Sequence, residues 1–113
     1  MHELTITEEI LRIVVDHAEQ ADAKRVSHIH LVIGDMSSFV NDSIQFYFDL
    51  LSPDTIAEGA TLHFHRIGIR FRCRTCGHEF EPQGQNWLCP NCQALGGEVI
   101  AGKEFYVESI EVE

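Results

Sequence analysis

The chain has 113 residues, 44% of them hydrophobic and 9% aromatic, values that suit one small globular domain with at most an added module and exclude an intrinsically disordered chain. Eighteen acidic residues against eight basic ones give a formal charge of −10, which disfavours non-specific binding to nucleic acid or to an anionic membrane. No apolar run approaches the roughly 20 residues of a bilayer span, and no basic stretch leads into an apolar one at the start, so the expected compartment is the cytoplasm.

The first three residues, Met1-His2-Glu3, carry a chelating donor set. The terminal amine of Met1, the amide nitrogen of His2 and its imidazole reach one ion through fused small rings. Glu3 adds a backbone nitrogen or its carboxylate. Nitrogen-rich, roughly planar sets suit Ni(II) or Cu(II). A histidine at position 2 of a frayed terminus is, by itself, a weak signal.

Ile6 to Ala21 has helical period, with Ile6, Ile10, Val14, Ala18 and Ala21 on one face and Leu11 and Val15 beside them. Thr5 and Glu8 fit a capping box, and His17 falls at the edge of the apolar face. Val26 to Ile33 alternates as a strand, and Gly34 ends it. Asn41, Asp42 and Ser43 offer caps for a second helix bearing Ile44, Tyr47, Phe48 and Leu51, which Pro53 stops. Glu58-Gly59 is a turn. In the stretch Thr61 to Phe71, Leu62 and Phe64 share one parity and Ile67, Ile69 and Phe71 the other, so a bulge or bend is expected near Arg66. Phe105 to Val112 is a last strand with a similar change of parity.

Cys73, Cys76, Cys89 and Cys92 are the only cysteines, in two C-x2-C pairs separated by twelve residues. Each short spacing lets a tight turn aim two sulfurs at one point, and a hairpin between the pairs closes a tetrahedron. A structural four-thiolate zinc site is favoured over an iron–sulfur centre or a redox pair. Gly77 stands where the first turn needs positive φ, and Pro90 presets the second. Four thiolates leave no open position for catalysis. His78 reads as a solvated loop residue rather than a partner of a thiolate.

Three further features have two readings each. His28 with His30, and His63 with His65, are i, i+2 pairs that neighbouring strands would gather on one face. A metal site is conceivable there, but no carboxylate accompanies them in those strands, so a partly exposed sheet face is favoured. Arg66, Arg70, Arg72 and Arg74 line one side of an extended chain, as a docking stripe or as a solvated face. Trp87 stacks on a ligand or, more simply, packs the cysteine module.

The Met-His-Glu-Leu start, the helix after it, the strand ending Val32-Ile33-Gly34, the Ala57-Glu58-Gly59-Ala60 turn and the late cysteine pairs followed by a closing strand resemble the HypA/HybF type of nickel metallochaperone over essentially the whole chain. The resemblance implies nickel delivery to [NiFe] hydrogenase, with urease a further client in some bacteria. It implies a nickel-handling GTPase and the hydrogenase large-subunit precursor as partners. His2, with Met1 and Glu3, matches the nickel ligands; Cys73, Cys76, Cys89 and Cys92 match the zinc ligands. Some members use a carboxylate in the loop after the first strand; here that region holds Asp35 and Asp42, and the resemblance does not single out either as a ligand. His78 follows the first cysteine pair, but Gln93-Ala94 follows the second, so a zinc-site change needing a histidine after both pairs is not expected.

The combined expectation is an α+β protein: a small sheet with two helices plus an inserted zinc-ribbon-like module. Residues 1–70 with 103–113 form a nickel-binding body and 71–102 the zinc module. The expected role is a non-enzymatic nickel carrier, with Ni(II) as cargo and Zn(II) as a structural ion. It contacts neither nucleic acid nor membrane, and a homodimer is left open. The competing role is a zinc-ribbon adaptor for nucleic acid or a nucleic-acid enzyme. An enzyme has little behind it, because no nucleophile set or phosphate-cradling loop stands out.

Overall fold

The structure, a computed structural model, describes residues 3–82 and 86–113. The elements run α1 (Glu3–Gln20), β1 (Val26–Gly34), α2 (Asn41–Leu51), β2 (Thr61–Ile67), β3 (Arg70–Arg72), β4 (Glu79–Phe80), β5 (Glu98–Ala101) and β6 (Phe105–Val112). They form two three-stranded sheets, ordered β2-β1-β6 and β4-β3-β5. The chain divides into two compact units. One comprises residues up to Val32, Ser38–His65 and Tyr106–Glu113; the other comprises Ile33–Ser37 and Arg66–Phe105.

In the first unit α1 and α2 pack together, and their inner faces supply Ile10, Val14, Ala18, Ile44 and Phe48 to the core. Val26, Ile29 and Leu31 of β1 and Leu62 of β2 join them. α1 starts at Glu3, earlier than its apolar period requires, so Thr5 lies inside the helix and does not cap it. Thr7 replaces Ile6 on the fully buried stripe because its hydroxyl is satisfied locally, donating to the Glu3 carbonyl at 2.6 Å. α2 likewise lacks the expected side-chain cap. Its N-cap is Val40, and Asn41 to Ser43 fall within the first turn. The Val40 N–H instead donates to Glu3 Oε2 at 3.4 Å.

Strand direction follows from the side chains and the ladder. His28 meets His63 and His30 meets His65 at the same offset of 35 residues, so β1 and β2 run parallel, with α2 as the crossover between them. Arg25 and Glu113 exchange both backbone hydrogen bonds, at 3.3 and 2.8 Å, which makes β6 antiparallel to β1. In β6 Phe105, Val107 and Ile110 are the partly buried residues, so the change of parity expected in the last strand is present. The change expected near Arg66 has a different cause. β2 ends at Ile67, Gly68 and Ile69 leave the sheet, and β3 enters the second one.

The second unit has a small core of Phe71, Phe80, Cys73 and Cys89, with Ile69, Ala94 and Val99 partly buried against it. Phe71 pairs with Phe80 across β3 and β4. Trp87 lies over Phe71 with ring centroids 4.9 Å apart, the packing role read for it from sequence.

Candidate metal centre

Two turns of the same construction place the cysteines. In the first, the Cys73 N–H donates to the His78 carbonyl at 2.8 Å and the Gly77 N–H to the Cys73 carbonyl at 2.9 Å. In the second, the Cys89 N–H donates to the Ala94 carbonyl at 2.9 Å and the Gln93 N–H to the Cys89 carbonyl at 2.8 Å. Each turn needs one residue of positive φ, and Gly77 (78°) and Gln93 (63°) supply it. Glycine takes that conformation without cost, whereas a residue with a Cβ loses roughly 1–2 kcal/mol. Gly77→Ala is therefore expected to destabilise the metal-loaded protein by about 1 kcal/mol, while Gln93→Gly is neutral or slightly stabilising. Thermal melting of the two variants beside the parent checks the asymmetry.

The turns bring all four sulfurs within 4.8 Å of one another. Cys73 Sγ is 3.5 Å from Cys92 Sγ, and Cys76 Sγ is 3.7 Å from Cys89 Sγ. Sulfurs bound tetrahedrally to zinc lie about 3.8 Å apart, so the set fits this ion with almost no adjustment. Backbone N–H groups complete the fit. Those of Cys76 and Thr75 point at Cys73 Sγ and pull its thiol down to about 6. The Asn91 amide and then the His78 N–H lower the Cys76 thiol. The Ala94 N–H also lowers Cys92, but hydrogen bonding with Cys73, burial and the thiols of Cys76 and Cys89 outweigh it and push Cys92 up to about 12. Four thiols crowded together cannot all ionise without a cation among them. The arrangement is that of a closed, structural zinc site.

The contribution of His78 comes from its backbone, and its side chain is exposed. Among the described residues the four cysteines are the one group of three or more His, Cys, Asp or Glu side chains whose ligand atoms converge on a single metal-sized point. Asp35 accepts a hydrogen bond from Arg66 Nε at 3.0 Å, and Asp42 sits in the first turn of α2. Arg70 and Arg72 both pair with Glu79, and Arg70 also with Glu81. The two guanidinium groups hold the Glu79 carboxyl below the usual range, first through Arg72. Most of the arginine stripe is thus answered by carboxylates of its own unit, as a solvated face would be. Met1 and His2 lie outside the described residues; Glu3 opens α1.

Residues 1–112 match a family model described as "Hydrogenase/urease nickel incorporation, metallochaperone, hypA". The hydrogenase maturation factor HypA of Dehalococcoides mccartyi (strain CBDB1) is 58% identical over all of this chain and 95% of that protein. Its counterpart in Caldanaerobacter subterraneus subsp. tengcongensis is 41% identical, with both chains fully covered. Among solved structures, one described as the solution structure of HypA protein aligns with a TM-score of 0.76 at 20% identity, covering 100% of this chain and 97% of that one. The Ni metallochaperone HypA from Helicobacter pylori aligns with a TM-score of 0.66 at 19% identity, covering 99% and 97%. These two likenesses concern the fold. The chain belongs to the HypA family of nickel metallochaperones for hydrogenase maturation.

Proposed function

We propose that this chain carries Ni(II) on its first three residues and hands it to a hydrogenase precursor, while Cys73, Cys76, Cys89 and Cys92 hold zinc for shape. The observation that carries the nickel assignment is the match to a nickel-incorporation family over residues 1–112, which takes in the chelating Met1-His2-Glu3 start. The leading N–H groups of a helix have no carbonyl four residues earlier to bond. The Glu3 N–H, at the head of the described part of α1, is therefore unclaimed by the helix ladder and available to a metal. The positive end of a helix disfavours a dication, but two ionised amides cancel the charge of Ni(II). The Glu3 carboxylate already accepts from Val40, so we assign Glu3 its backbone nitrogen as donor.

Such a site delivers rather than transforms: the cargo leaves as it came. Sulfur donors keep zinc and nitrogen donors keep nickel, so the two ions do not exchange places. Working with a nickel-handling GTPase in the cytoplasm, where thiols stay reduced, suits this chemistry. Urease is a second client of the same cargo. The adaptor reading loses most of its footprint because Arg66, Arg70 and Arg72 are already paired with carboxylates.

The test uses protein with a native, untagged first residue under neutral, reducing conditions. The parent binds one Ni(II) tightly with the diamagnetic signature of a planar nitrogen set, and His2→Ala loses that site while zinc content and folding stay unchanged. A parent without this planar nickel species, or a His2→Ala chain that retains it, overturns the assignment.

A further inference from the structure

The sheet face of the first unit opposite its apolar core gathers His28 and His30 from β1 and His63 and His65 from β2. His28 Nδ1 lies 2.9 Å from His63 Nε2, and His30 Nδ1 lies 3.2 Å from His65 Nε2. The His30 and His63 rings stack at 4.6 Å with planes 12° apart. The carboxylate that those two strands lack arrives from β6. Glu111 Oε2 is 2.8 Å from His30 Nε2.

These contacts fix the protons. An ionised Glu111 only accepts, so His30 carries its hydrogen on Nε2. That tautomer leaves a lone pair at His30 Nδ1, 3.2 Å from His65 Nε2. A carboxylate behind one ring nitrogen, with the other nitrogen left as donor, is the arrangement that orients metal-binding histidines. The spacing agrees. Two nitrogens on one ion at roughly 2.0–2.1 Å lie about 2.9 Å apart at a right angle and about 3.3 Å apart at the tetrahedral angle. Both observed pairs fall at these values. Imidazole donors suit nickel and zinc, and a chain of charge −10 attracts cations.

We propose that this histidine face is a second metal site, taking a borderline divalent cation such as Ni(II) through His30 Nδ1 and His65 Nε2, with Glu111 holding His30 from behind. The His65 ring binds neutral, with its hydrogen on Nδ1, so binding releases no net proton. Water fills the remaining positions, and the stacked His63 ring walls the site. With two imidazoles and water in place of four chelating nitrogens, it holds nickel more weakly than the N-terminal set and in a paramagnetic form.

The experiment uses the full chain, zinc-loaded and carrying His2→Ala, so its outcome does not depend on the N-terminal site. Ni(II) alone is the probe, followed by equilibrium dialysis and by broadening of histidine ring resonances. One Ni(II) per chain is expected, with His30 and His65 broadened first. Glu111→Gln weakens binding about tenfold, and His30→Gln combined with His65→Gln removes it. Glu111 is 59% exposed, so its variant tests the proposal even if the double variant fails to fold. Absence of Ni(II) binding, binding unchanged by Glu111→Gln, or first broadening at His17 or His78 overturns the proposal.

Discussion

Cys89→Ser is expected to release the zinc and unfold the second unit together. Cys89 is fully buried and is both a ligand and one of the four buried residues of that core. So small a core, two phenylalanines and two cysteines with partly buried neighbours, cannot supply the stability that the ion does. Structural zinc in comparably small modules contributes on the order of 10–16 kcal/mol. Serine offers a harder, less acidic donor, and the remaining three sulfurs do not close the tetrahedron. Metal content and the near-ultraviolet signal of Trp87, which packs on Phe71, report the two losses together. A strong zinc chelator reproduces the effect in the parent, and added zinc reverses it. A variant with full zinc content and an unchanged melting curve would remove the structural role from this site.

Gly34→Ala is expected to cost about 3 kcal/mol, the upper end of the range for overpacking. A Cβ at position 34 lies 2.0 Å from the Gly102 carbonyl oxygen and 2.7 Å from the Lys103 nitrogen. These are backbone atoms, so no rotamer change relieves the clash. The same Gly102 oxygen accepts the Met36 N–H at 2.8 Å, and the Gly34 N–H donates to Glu104 at 2.7 Å. Moving one strand away from the other breaks both. Denaturant unfolding measures the loss, and Gly59→Ala is the control. Gly59, unlike Gly34, has positive φ, and nothing stands within 4 Å of its Cβ, so its cost is backbone strain alone, about 1 kcal/mol.

The elements with strong periodicity were legible. The β1 alternation, the Ile44–Phe48 spacing in α2 and the paired cysteines each depend on nearby residues, and the structure keeps them. The stops were legible less evenly. Pro53 follows the end of α2 closely, whereas the start of α2 has no side-chain cap, and the Val40 N–H there meets Glu3, 37 residues earlier. β4 and β5 are too short for any period to show, and they exist because β3 pairs with each. The histidine face shows the limit most clearly. Both i, i+2 pairs can be read from sequence and their meeting follows if the strands are neighbours. The carboxylate at His30 comes from 81 residues away, where no local pattern announces it. The cysteine set was legible because its geometry is local twice over, one turn for each pair.

The short run Ile33–Ser37 belongs with the second unit, although the rest of that unit begins only at Arg66. A gene fragment spanning 66–105 would encode the cysteines yet omit the strand end whose Gly34 fits against Gly102. Recombination at those two junctions would transplant an incomplete object. The zinc-bearing unit is therefore discontinuous in sequence, and a graft of 66–105 alone lacks the Gly34 contact.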